Sequence, residues 1–228
     1  MARRRVPAVV AGCEYACAHP ANSAVRLPRR RSFGMTPAMD VLRIPTDPAW
    51  APLACAAIDD VLLDHAHCEK KAAASAMALV SAYPDHSELV ASMVKLAQEE
   101  LRHFRQVHDH LRSRGLTLSP DRGDPYVQLL LKQARSGFAE RRTDRLLLSA
   151  LIEARSCERL ALLGKHLDDS GLADFYRGLA RAEAGHYRLF VRLAKLYERD
   201  EVVDSRLAEL AERESEIVVE LPLEPRVH

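Results

Sequence analysis

Two short stretches of the chain, "EELRH" at 99–103 and "EAGH" at 183–186, each place a Glu three residues before a His. On a helix that spacing points both side chains the same way. Each pair therefore offers a metal ion one carboxylate and one imidazole. A lone pair of this kind is common on exposed helices and carries little information. Two further carboxylates change its meaning. Glu69 lies 31 residues before Glu100, and Glu153 lies 30 residues before Glu183. In an antiparallel helical hairpin, residues equidistant from the turn share a level. The turns centre near 84–85 and 168–169, which brings Glu69 level with Glu100 and Glu153 close to level with Glu183. The candidate metal ligands are Glu69, Glu100, His103, Glu153, Glu183 and His186.

The neighbours of these residues are apolar. Leu62, Ala66, Ala72, Ala73 and Ala76 share the face of Glu69, and Leu146, Ala150, Cys157 and Leu160 share that of Glu153. Unpaired carboxylates are costly in such surroundings. Two divalent ions would balance four carboxylate charges, whereas the helix faces nearby offer few basic partners. Oxygen-rich ligation with one imidazole per ion suits iron or manganese better than zinc. No nucleophilic triad accompanies the set, so no catalytic residue is expected beyond the metal ligands.

One ligand position has a competitor. "AHCEKKA" and "RSCERLA" read as a repeat that would pair Glu69 with Glu158. Glu158 lies only 25 residues before Glu183, too near the turn for a level match. Glu153 is the preferred ligand, and Glu158, like Asp64, is expected to support a ligand His or to be exposed.

Long helices must carry these residues. From Asp47 onward the pattern is helical: one helix up to Pro84, a second from Asp85 or Ser87 to Gly115, and a shorter one at about 124–138 with Pro125 in its first turn. Two more follow, "TDRLLLSALIEARSCERLALLGKHL" and "SGLADFYRGLARAEAGHYRLFVRLAKLYER", then an outer amphipathic segment at about 202–221. The turns "YPDHS" and "LDDSG" are short and the link between the second and third long helices is long. The expected architecture is all-α: a four-helix bundle of two antiparallel hairpins with a long crossover and flanking helices. The helical domain spans 40–220, and residues 221–228 are expected to fray.

Composition agrees. The chain has 228 residues with 48% hydrophobic, 5% aromatic and nine Gly, which favours helix over sheet. No apolar run is long enough to cross a bilayer. Five cysteines with no C-x-x-C pair fit a reducing, cytoplasmic setting. Residues 1–39 hold seven Arg and one Glu, a charge of +6 that leaves −5 for the rest of a chain with net charge +1. This stretch reads as a disordered basic tail. Between Lys95 and Arg145, eleven Lys/Arg face seven Asp/Glu. Arg112, Arg114, Arg122, Lys132, Arg135, Arg141, Arg142 and Arg145 line the crossover and its flanks, where they form a candidate phosphate-binding patch or an ordinary solvated face.

The six-residue set is similar to the ligand pattern of ferritin-like di-iron carboxylate proteins. A closer resemblance lies in "DHAHCEKKAAASAM", "LAQEELRHFRQV", "LIEARSCERLALL" and "EAGHYRLF", spread over residues 47–200. These strings resemble the bacterial tRNA hydroxylases that act on 2-methylthio-N6-isopentenyladenosine. Gly185 departs from the bulkier residue expected there. The resemblance implies a non-haem di-iron monooxygenase that uses oxygen and electrons from an external donor. Its substrate would be the isopentenyl group beside the tRNA anticodon. It also implies one iron on Glu69, Glu100 and His103 and another on Glu153, Glu183 and His186, with a bridging Glu blurring the division. A monomer or small homo-oligomer is expected. The competing readings are a rubrerythrin-like oxidase or peroxidase and a non-catalytic iron-binding bundle.

Overall fold

The computed structural model describes residues 40–228, and all regular structure among them is helical. The basic stretch 1–39 lies outside the described residues. The helices are α1 (Trp50–Ala56), α2 (Ile58–Ala82), α3 (Ser87–Ser113), α4 (Pro125–Leu131), α5 (Phe138–His166), α6 (Ser170–Tyr197) and α7 (Asp200–Glu220).

Local chemistry sets most boundaries. Pro84 follows the end of α2, where its ring and missing N–H prevent continuation. Gly115 adopts φ 73° just past α3, a left-handed conformation that a Cβ would disfavour. Asp124 and Asp169 cap α4 and α6 by accepting hydrogen bonds from Val127 N and Leu172 N.

The α2–α3 and α5–α6 hairpins form the four-helix bundle, with α1, α4 and α7 packed against α5. Two apolar clusters fill it. One gathers Leu79, Leu89, Met93, Leu147 and Leu193; the other gathers Trp50, Leu62, Leu111, Leu160 and Tyr176. The six candidate ligands occupy the layer between them on all four helices. Close approach near the α5–α6 turn depends on Gly164, where a Cβ would stand 2.6 Å from Arg177 Cγ and 3.1 Å from its backbone nitrogen.

Three features differ from the sequence reading. The first long helix breaks at Ala57, with φ −115° and ψ 41°. Alanine gives no local cause, and the break lets α1 bury Trp50 and Ala54. Residues 221–228 do not fray. Val227 is 1% exposed, its N–H donates to Asp64, and His228 stacks on Tyr126. Burial of one valine and four polar contacts of Arg226 and His228 hold this segment down. Finally, Glu158 neither supports a ligand His nor is exposed. It accepts hydrogen bonds from Thr46 and Arg155, a fully buried arginine that also pairs with Glu214 at 2.8 Å.

Candidate metal centre

Glu69, Glu100, Glu153, Glu183, His103 and His186 are all buried, each 8% exposed or less. Their donor atoms converge in two groups, each within 4.8 Å. One contains Glu69, Glu100, His103 and Glu183; the other contains Glu100, Glu153, Glu183 and His186. Glu100 and Glu183 belong to both. Around one ion with bonds of about 2 Å, neighbouring donors stand roughly 3 Å apart. Here His103 Nδ1 is 3.3 Å from Glu100 Oε2 and 3.6 Å from Glu69 Oε2. His186 Nδ1 is 3.0 Å from Glu183 Oε2 and 3.0 Å from Glu100 Oε1.

The polar atoms are poorly satisfied by one another. Glu100 Oε1 and His103 Nδ1 are buried without a hydrogen-bond partner, as is His186 Nε2. The 3.0 Å approach of His186 to Glu100 Oε1 lacks hydrogen-bond geometry, because that ring nitrogen is directed at Glu183. Orphaned donor atoms at ligand spacing in an apolar bundle are what a pair of cations would satisfy. The donor set fits two iron-type ions.

Charges in the layer are strongly shifted. Burial pushes Glu69 up despite the neighbouring His103 imidazole and the hydrogen bond from His65. Burial and the neighbouring Glu183 hold the Glu153 carboxyl far above the usual range. Burial opposes ionisation of Glu100 and Glu183 too, yet the imidazoles prevail and hold both below it. Burial opposes charging of the imidazoles, but the carboxylates win and raise His103 to about 10 and His186 to about 12.

Sequence reasoning missed His65, whose Nε2 lies 2.8 Å from Glu69 Oε1. The signal was present, since His65 precedes Glu69 by one helical turn. Asp64 serves the closing segment through Val227 rather than a ligand. At Gly185, an added Cβ would meet nothing within 4 Å, so the departure there imposes no packing demand.

A cavity of about 260 Å³ opens from this layer. Glu69, Glu100, Glu153 and Glu183 line its inner part, and Ala72, Ala76, Leu131, Ile152 and Phe190 give it apolar walls. The crossover patch is thinner than its composition suggests. Arg135 binds Asp144 and Glu140, while Arg142 is buried against Tyr197 and bonded to its carbonyl. Arg122, Lys132 and Arg141 are exposed.

Residues 34–228 match the family described as tRNA-(MS2IO6A)-hydroxylase (MiaE). The chain belongs to this family. It is 39% identical over 198 residues to the tRNA 2-(methylsulfanyl)-N(6)-isopentenyladenosine(37) hydroxylase of Pseudomonas putida, covering 86% of this chain and 96% of that one. A hydroxylase of the same name from Salmonella typhimurium is 28% identical over 243 residues, covering 85% and 89%. Among solved structures, a Synechococcus protein described as having aldehyde deformylating oxygenase activity superposes with a TM-score of 0.79 at 37% identity, over 82% of this chain and 94% of that one. The fold is ferritin-like, and the chain is an enzyme of the hydroxylase class. Among the described residues, no helix is long and apolar enough to cross a membrane.

Proposed function

We propose that this chain holds two iron ions and hydroxylates the isopentenyl group of a modified adenosine next to the tRNA anticodon, drawing on molecular oxygen and an external electron donor. The observation that carries the reading is the double donor group sharing Glu100 and Glu183, opening onto an apolar cavity. In this arrangement Glu69 and His103 would hold one ion and Glu153 and His186 the other, with Glu100 and Glu183 within reach of both. Bound iron supplies the oxidising power for oxygen activation, which no side chain possesses.

The chain's residues do the rest. His65 holds Glu69 by a hydrogen bond and fixes its orientation. Ala72, Ala76 and Ile152 leave room for a branched five-carbon tail and exclude water from it. The balance is one C–H bond, O2, two electrons and two protons converted to C–OH and water. A base in an anticodon loop is already outside a duplex, which lowers the cost of presenting it. Exposed Arg122, Lys132 and Arg141 are the crossover cations available to its phosphates. The enzyme acts in the cytoplasm as a monomer or small homo-oligomer.

The test supplies reduced, iron-loaded protein with oxygen and isopentenylated tRNA, then analyses the nucleosides. The expected product is heavier by one oxygen atom. The relative with aldehyde deformylating oxygenase activity makes a long-chain aldehyde the necessary control. If aldehyde or peroxide is consumed and the hydroxylated nucleoside never forms, the reading fails in favour of a ferritin-like oxidase.

A further inference from the structure

Beside the carboxylate layer, three other ligand-type side chains meet from three separate segments: Cys68 on α2, Asp124 at the start of α4, and His228 in the closing segment. Cys68 Sγ lies 3.6 Å from His228 Nδ1, and that nitrogen lies 3.1 Å from Asp124 Oδ2. Around a tetrahedral zinc ion with bonds of about 2.3 Å to sulfur and about 2.0 Å to nitrogen or oxygen, sulfur and nitrogen donors stand roughly 3.5 Å apart and nitrogen and oxygen roughly 3.3 Å. The observed separations lie close to both.

Hydrogen bonding accounts for part of the cluster, since the Cys68 thiol donates toward Asp64 Oδ2 at 3.8 Å. When the Ser156 hydroxyl donates to Ile152 O at 3.1 Å, its oxygen accepts from His228 Nε2 at 2.7 Å. That places the ring proton on Nε2 and a lone pair on Nδ1, facing a carboxylate oxygen. Positive charge between the two is favourable, either a second ring proton that pairs the imidazolium with Asp124 or a metal ion. An additional ring proton would serve one partner, but the thiol stands at ligand distance on the third side. Asp124 is free to contribute, because Oδ1 caps α4 by accepting from Val127 N at 3.0 Å while Oδ2 faces the ring. Ser156 meanwhile fixes the imidazole plane, as carbonyl and hydroxyl partners of ligand histidines do.

We propose that Cys68, Asp124 and His228 form a mononuclear site for a zinc-class divalent ion, separate from the carboxylate centre. A thiolate, a carboxylate and a neutral imidazole give −2, which such an ion balances. All three residues line the apolar cavity, so the remaining coordination position faces it. The ion ties the closing segment to α2 and α4 and completes one cavity wall. Lys71 lies in the same wall, its ammonium 3.6 Å from Asp121 Oδ1.

Cobalt(II) reports the site directly, since a thiolate ligand adds a charge-transfer absorption that oxygen and nitrogen donors lack. The full chain carrying Cys13→Ser and Cys17→Ser is titrated with cobalt. One saturable thiolate band is expected, displaced by zinc, absent in Cys68→Ser and reached only at tenfold or higher cobalt in His228→Ala. Iron uptake by the carboxylate centre of His228→Ala stays unchanged. Absence of the band in the parent chain, or its survival in Cys68→Ser, overturns the proposal. Should Cys68→Ser fail to fold, unaltered cobalt affinity in His228→Ala does the same.

Discussion

Glu100 Oε1 on α3 lies 3.0 Å from Nδ1 of His186 on α6. The two hairpins therefore meet through two members of one donor group, and Glu100 also reaches His103, in the other group, with its second oxygen. A residue shared between two donor groups affects both when it is lost.

Metal analysis after anaerobic ferrous loading is expected to give about two irons per chain. Glu100→Ala should lose both, because each group loses a donor. Glu153→Ala should lose mainly the ion shared with His186, and Glu158→Ala should keep both. Iron loss in Glu158→Ala alone would restore the "CEK/CER" repeat as the better guide.

Arg155 and Glu214 form a pair at 2.8 Å with both side chains fully buried. Tyr126 donates to the same carboxylate at 3.0 Å. Truncating Glu214 leaves a guanidinium buried with Glu158 as its remaining carboxylate, and breaking such pairs costs about 3–5 kcal/mol. Glu214→Ala should show that loss in denaturant unfolding of the metal-free protein. A change below about 1 kcal/mol would mean that water or rearrangement replaces the partner.

Asp144 accepts from Arg135 and Arg206, joining the crossover to α7. Burial works to raise its carboxyl, but these guanidinium contacts hold it below the usual range. A depressed folded value stabilises the fold above the unfolded value of about 3.9, and the contribution fades as pH falls through the folded value. The difference in Tm between the native chain and Asp144→Asn should be full near neutral pH and shrink at pH values below the unfolded carboxylate pKa. A difference that stays constant into acid would refute the assignment.

The bundle and the six-residue layer were legible because they rest on local periodicity. Pro84, Gly115 and Asp169 mark the turns in the sequence itself, and counting outward from them levels Glu69 with Glu100 and Glu153 with Glu183. What escaped depends on contacts distant in the chain. Ala57 is a helix former, and α1 departs from α2 there because Trp50 finds a buried position and bonds Arg226. Glu158 looks like a ligand until Arg155, Thr46 and Glu214 are brought beside it. His228 shows no helical period, so nothing local announces that it reaches Asp124 and Ser156. The basic crossover misled for the same reason, since composition cannot reveal that Arg142 is buried on Tyr197.

The cavity offers the most direct control over substrate entry. Ala72 is half-buried on α2 and lines the cavity one turn from Glu69, so a larger side chain there projects into the space the isopentenyl tail would occupy. Ala72→Phe should lower hydroxylation at least tenfold, leave iron content intact and change tRNA affinity little, because the exposed crossover cations Arg122, Lys132 and Arg141 do not line the cavity. Nucleoside analysis, metal analysis and a tRNA binding isotherm on one preparation separate these effects. Undiminished hydroxylation would show that the substrate takes another path. The groove between α3 and α6, lined by Lys95, Arg181, Arg192 and His186, would then be the entrance, because it reaches the candidate ligand His186 from a different side. Filling that groove with Gly185→Phe is the matching test: it should be silent if the tail enters past Ala72, and damaging if it does not.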